Sequence, residues 1–188
     1  MDARAGSNNS EEQAWITNAQ HGDRQAFAEL VRRHRPGVVN VVYQMCGDPG
    51  VAEDAAQEAF LRAWQNLGRY SPRFAFRSWV YRIALNVAVD SLRRERPAVP
   101  LLEAESLASG SEGPEALLER KQQAEQVQRA VLHLPPASRA VLVLREYEAL
   151  SYHEIAEALD IPVGTVMSRL NYARGQLRQA LGRQPEAR

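Results

Sequence analysis

The sequence predicts an all-α protein: two small helical domains joined by a flexible acidic linker, the second of them a helix-turn-helix. Apolar residues recur at spacings of three and four, the period of a helix, while strand alternation and hairpin dipeptides do not appear. No internal repeat at a fixed period suggests a solenoid. Between two basic stretches runs PAVPLLEAESLASGSEGP, residues 97–114, with three prolines, two glycines, three serines and no lysine or arginine. Such an aperiodic, self-repelling composition reads as a linker. The expected organisation is a tail over 1–13, a first domain over 14–97, the linker over 98–118 and a second domain over 119–184. Each domain is near the lower comfortable size for a core of its own.

In chain order, Ser10 with Gln13 forms a capping-box pattern that opens a first helix through Gln20, and His21-Gly22 ends it. Asp23 caps a second helix carrying Phe27, Leu30 and Val31, with an interruption expected near Pro36. Val38, Val39, Val42 and Tyr43 continue the apolar stripe beyond it. Asp48-Pro49 signals the next start. In the following segment, from Val51 to Trp64, Ala56, Phe60, Trp64 and Leu67 are spaced to enter the core. Asp54, Gln57, Glu58, Leu61 and Gln65 project from another side. That side is either a solvated surface or a docking face for a basic partner helix, with Asp54 and Glu58 one turn apart and Leu61 supplying apolar contact.

The segment FRSWVYRIALNVAVDSLRRERP, residues 76–97, is expected to be helical, with Trp79, Ile83 and Val87 in an apolar row. Ser78, Arg82, Asn86, Asp90 and Arg93 form a polar row, framed by Arg73 and Arg77 before it and by Arg94 and Arg96 after it. Such a face can hold phosphates with arginine while Asn86 reads a base edge. Asp90 can select a cytosine amino group or pair with Arg93 or Arg94. Tyr70, Phe74 and Phe76, set among Arg69, Arg73 and Arg77, can stack unpaired bases or fill the core.

In SYHEIAEALDIPVGTV, Ser151 and Glu154 make a second capping box, and the segment from Asp160 to Gly164 breaks the helix. The helix that follows carries Val166, Leu170, Ala173, Leu177 and Leu181 on one stripe. Two short helices joined by a tight turn, the second basic, describe a helix-turn-helix. Its outward face presents Thr165, Ser168, Arg169, Tyr172 and Gln176, with Arg174 and Arg178 placed for backbone phosphates. A structural helical hairpin is the plainer reading, but residues 163–184 hold four arginines and no acid.

Composition sets further bounds. The 188 residues carry 23 basic and 23 acidic side chains, a formal net charge of zero. That total hides a segregation: −2 over residues 1–14, +4 over 15–97, −5 over 98–119 and +3 over 120–188. All but one of the basic residues are arginine, which suits phosphate and base edges but can equally reflect genomic composition. The longest clean apolar run, Ala140 to Leu144, has five residues, far below a membrane span. The N-terminus lacks the apolar middle of a signal peptide, so the cytoplasm is expected and membrane insertion is not. No regulatory domain is expected after the second domain. One cysteine, Cys46, excludes an intrachain disulfide framework, and burial in an apolar stretch is its expected place. No phosphate-binding loop, metal-ligand cluster or nucleophile-base pair stands out, so no enzyme activity, cofactor or metal is expected. His21, His34, His133 and His153 are scattered as surface or capping residues.

Taken together, AEDAAQEAFLRAW, FRSWVYRIALNVAVDSLRR and the run from LPPASRAVLVLREYEALSYHEIAEAL through PVGTVMSRLNYAR resemble the extracytoplasmic-function sigma factors of the sigma-70 family. The resemblance covers about 14–181. It implies a transcription-initiation subunit whose partners are the bacterial RNA polymerase core, through its clamp coiled coil and flap, promoter DNA and an anti-sigma factor. By the same resemblance, Asp54, Gln57, Glu58 and Leu61 bind polymerase. Arg73, Phe76, Arg77, Arg82, Asn86, Asp90, Arg93 and Arg94 contact the −10 element. Thr165, Ser168, Arg169, Tyr172, Arg174 and Arg178 contact the −35 element, although Met167 and Tyr172 stand where many relatives are basic. The linker resembles a segment threaded toward the RNA exit path. The competing reading is a stand-alone helix-turn-helix regulator of duplex DNA, which needs a dimerisation element or effector pocket that the sequence does not offer. A helical interaction protein with no DNA role leaves the acid-free basic segment unexplained.

Overall fold

The computed structural model describes residues 3–94 and 114–182, and within them eight α-helices and one short 3-10 turn. In the N-terminal half, α1 (Ala3–Gln20), α2 (Arg24–Cys46), α3 (Pro49–Asn66) and α4 (Phe76–Arg94) pack on one another, with the turn Leu67–Arg69 after α3. In the C-terminal half, α5 (Pro114–Leu132), α6 (Pro136–Glu146) and α7 (Tyr152–Leu159) gather around α8 (Val163–Gly182).

The starts of α2 and α3 follow from local chemistry. The Asp23 carboxylate accepts from the backbone N–H groups of Gln25 and Ala26, and Asp48 accepts from that of Val51. These are donors a helix start would otherwise leave unpaired. Three local expectations are corrected. Helix α1 begins at Ala3, so Ser10 lies inside it and most of the expected tail is helical; Ala3, Arg4 and Ala5 are good helix formers and no proline precedes Ser10. Helix α2 runs unbroken through Pro36. The roughly 3 kcal/mol cost of an interior proline is outweighed there by Leu30, Val38, Val41 and Val42, all fully buried, at about 1.5–3 kcal/mol each. The expected linker over 98–118 lies mostly outside the described residues, and its last part, from Pro114, belongs to α5.

Helix α1 is held on α2 partly by charge. Arg33 Nε and His34 Nε2 lie 3.1 and 3.2 Å from the Glu12 carboxylate. The close approach of the His34 ring is the main cause, with Arg33 adding to it, that holds the Glu12 carboxyl below its ordinary value of 4.5. A depressed carboxyl stabilises the fold above its unfolded value and loses that contribution as pH falls through the folded one. The anchoring of α1 should therefore be complete above about pH 4.5 and decay below it. Amide hydrogen exchange of α1 is expected to quicken there in the wild type, and Glu12→Gln should flatten that acid-side dependence.

The two halves also pack directly, α2 against α5 and α6, and α4 against α7. At this joint the Glu148 carboxylate accepts from Asn40 Nδ2 at 2.9 Å and from the Tyr81 hydroxyl. Burial, then Glu148, keeps that hydroxyl protonated well above its ordinary range. A Cβ on Gly37 would stand 2.9 Å from Glu148 Oε2 and collide with the Tyr81 hydroxyl, so a side chain there would push the two groups of this joint aside. Arg139 of α6 is 7% exposed; it donates to the carbonyls of Leu132 and Met45, and to that of Leu134 at 2.9 Å. A single guanidinium thus caps the C-termini of α2 and α5, where the helix dipoles favour a cation.

Candidate nucleic-acid interface and docking groove

The loop before α4 is shaped by its neighbours. Gln20 Nε2 donates to the carbonyls of Leu67 and Tyr70 at 3.1 and 3.2 Å, and the Tyr70 hydroxyl donates to the Phe74 carbonyl at 2.6 Å. Tyr70, Phe76 and Trp79 form an aromatic cluster with centroids 5.2–5.6 Å apart, and His34 packs on Phe76 at 5.3 Å. Phe76, expected among the DNA contacts, is 1% exposed and belongs to this core; no base can reach its ring while α4 is folded. The accessible aromatic of the loop is Phe74, 45% exposed, next to exposed Arg73.

Along α4, Arg82, Asn86 and Arg93 are exposed and Asp90 is half-buried. Ser78, expected at the head of this row, is buried at 1% beneath α7 and does not belong to the accessible face. Arg94 ends the helix. Two of the expected DNA-binding arginines are engaged: Arg77 by Glu154, and Arg82 Nη2 by Asp160 Oδ2 at 2.9 Å. Partial burial alone would raise the Glu154 carboxyl, but hydrogen bonds from Arg77 and Ser151 bring it below its usual range.

Both halves of the expected capping box opening α7 are present: Ser151 Oγ accepts from the Glu154 backbone N–H, and the Glu154 side chain accepts from that of Ser151. Asp160 then takes a left-handed conformation with φ of 55° and closes the helix. In α8, Val166, Leu170 and Ala173 are buried, which turns Ser168 and Tyr172 outward and leaves Thr165 and Arg169 half-exposed. Met167 and Tyr172 add apolar surface to that face. Arg178 is exposed, whereas Arg174 is held by Glu146 of α6 at 2.7 Å.

A groove of about 530 Å³ separates α2 from α3. Phe27, Val31, Phe60, Leu61 and Trp64 form its apolar walls, and Arg35, Glu53, Asp54 and Gln57 give it a polar rim. Leu61 is 51% exposed and extends the apolar wall of the groove to its surface. The structure brings Asp54, Gln57 and Leu61 together here; Glu58 lies beside them, paired with Arg62 at 2.7 Å.

Asn40, Tyr81, Arg139 and Glu148 were not singled out by sequence reasoning. Two clues were available: an arginine directly before the apolar run of α6, and a glycine directly after the proline in α2. Among the described residues no group of three or more His, Cys, Asp or Glu could hold a metal, and no helix is long and apolar enough to cross a membrane.

Two tandem helical lobes, the second a helix-turn-helix with a basic second helix, define the two-domain architecture of a sigma-70-type factor. Residues 30–97 match Sigma-70 region 2 and residues 124–177 match Sigma-70, region 4. The chain is 36% identical over 179 residues to the ECF RNA polymerase sigma factor SigW of Bacillus subtilis, covering 88% of this chain and 94% of that one. It is 38% identical over 175 residues to the ECF RNA polymerase sigma-E factor of Escherichia coli, covering 87% and 90%. Among solved structures, CnrH in complex with the cytosolic domain of CnrY superposes with a TM-score of 0.71 at 26% identity, covering 92% of this chain and 97% of that one. The sigma factor RpoE of Bartonella quintana, in complex with the anti-sigma factor NepR, shares the fold with a TM-score of 0.64 at 19% identity, over 84% and 98%. The chain belongs to the extracytoplasmic-function sigma factors of the sigma-70 family.

Proposed function

We propose that this sigma factor binds the bacterial RNA polymerase core, recognises −35 and −10 promoter elements and promotes strand opening for transcription initiation in the cytoplasm. The observation that carries the reading is the match of regions 2 and 4, in chain order, to the two lobes that hold the candidate surfaces. The α2–α3 groove, with Asp54, Gln57, Glu58 and Leu61, takes the polymerase clamp coiled coil, and the C-terminal lobe meets the flap. Asn86 and the flanking Arg73, Arg77, Arg82, Arg93 and Arg94 take the −10 strand, with Asp90 beside them and Phe74, in place of Phe76, stacking an unpaired base. Thr165, Ser168, Arg169 and Tyr172 read the −35 major groove, with Arg174 and Arg178 on phosphates.

The sigma factor itself performs no covalent chemistry. Flipping a base costs a few kcal/mol, which stacking and arginine contacts to the separated strand offset, so melting is differential binding. Neither a nucleotide cofactor nor a catalytic centre is required for that step. The structures of relatives with bound partners support an anti-sigma factor as a further partner of this chain.

Run-off transcription from a random promoter library tests the reading. The chain with core polymerase should select promoters, and alone should bind promoter duplex poorly. Losing one good base contact is worth about 1–3 kcal/mol. Asn86→Ala is therefore expected to cut discrimination at −10, and Arg169→Ala at −35, by roughly fivefold to a hundredfold each. Unchanged preference in both variants removes these assignments, and tight duplex binding without polymerase favours a stand-alone regulator.

A further inference from the structure

We infer that the helix-turn-helix lobe locks the −10 surface of its own chain, with acids of α7 standing where DNA phosphates would lie; the inference rests on the assignment of α4 and its loop given above. Arg77 pairs with Glu154 in the first turn of α7, and Arg82 with Asp160 at its end. The spacings match, because at 1.5 Å per residue the arginines are about 7.5 Å apart along α4 and the acids about 9 Å apart along α7.

The two helices enclose a groove of about 550 Å³, with Phe74, Trp79 and Arg82 on one wall and Ala156, Glu157 and Asp160 on the other. A strand that stacks on Phe74 and reaches Arg82 has to enter this groove, where the carboxylates of Glu157 and Asp160 repel its phosphates. The Asn40–Glu148–Tyr81 joint holds the two walls together from behind. Both ion pairs are partly solvent-exposed, with arginine side chains 42% and 46% accessible. Such pairs are individually weak, so a partner that prefers separated lobes can open the lock by mass action.

The acids have local duties that their amides can keep. Glutamine serves a capping box as glutamate does, and asparagine tolerates the left-handed conformation of residue 160. The double variant Glu154→Gln/Asp160→Asn therefore removes the lock and retains the fold. Glu119→Gln/Glu125→Gln, at an exposed and a half-exposed site of α5, makes the same change in net charge away from the groove.

The full-length wild type and both variants are compared for binding of a fluorescein-labelled, thymine-rich single strand, for radius of gyration by small-angle scattering, and for start-site choice with core polymerase. The unlocked variant should bind the strand about twofold to thirtyfold more tightly than the other two, the range expected from releasing two partly exposed ion pairs. Its radius should exceed that of the wild type, expected near the roughly 16 Å of a compact chain of this length. Equal strand affinity in all three, an equal gain in the α5 control, or a wild type already extended overturns the lock while start-site choice remains intact. Loss of start-site choice in all three overturns the sigma-factor assignment and the lock with it.

Discussion

Phe76→Ala is expected to destabilise the protein by about 3–5 kcal/mol, the cost of emptying a buried aromatic site. In a chain of this size that corresponds to a fall in melting temperature of roughly 6–20 °C. The ring is 1% exposed and packs on Tyr70, Trp79 and His34, so its removal opens a cavity where α2, α4 and the preceding loop meet. Phe74→Ala, two residues earlier, is expected to leave the melting temperature in place and to weaken capture of the opened strand by about 1–3 kcal/mol, the worth of one stacked base. Thermal melting and strand-binding titrations on the two variants separate the roles. A large melting shift for Phe74→Ala, or none for Phe76→Ala, would reverse the assignment of core and stacking ring.

Arg139→Ala is expected to cost about 3 kcal/mol or more, since three charge-assisted bonds to buried carbonyls disappear together. The loss should be felt in both halves: amide exchange should accelerate in the last turns of α2 and α5, because Met45 and Leu132 lose the same donor. Burial lowers the affinity of the guanidinium for its proton, but two helix C-termini face it and it remains a cation. Arg139→Lys should not restore the lost stability, because one compact ammonium cannot span carbonyls on separate helices as the planar fork does. Urea denaturation of the three proteins measures the difference, and equal midpoints for arginine and lysine would refute the fork argument.

What could be read in the sequence was what is decided locally. Asp23, Asp48 and the Ser151–Glu154 box announce their helix starts because a cap needs only the next three residues. Ala56 and Phe60, like Val166, Leu170 and Ala173, announce their burial through their spacing. Pro36 misled because its local penalty is real and the burial that offsets it is tertiary. Phe74 and Phe76 could not be told apart, since a loop of aromatics among arginines has no period. Ser78 has the right spacing for the polar row of α4, but the helix that covers it begins 74 residues later in the chain. Met45 and Arg139 are 94 positions apart and Asn40 and Glu148 are 108 apart, and amphipathic spacing states which face is apolar without saying what will lie on it.

Helix α2 serves two clients. Phe27, Val31 and Arg35 face the groove toward α3, while Gly37 and Asn40, one to two turns further along, meet α4 and the C-terminal half. A visitor to the groove that favours a slightly different pose of this rod must strengthen or weaken the distant junction by some factor, and by thermodynamic reciprocity the junction returns the same factor to the visitor's affinity. Pro36, which leaves one rung missing from the ladder between the two sites, marks where the rod bends most cheaply.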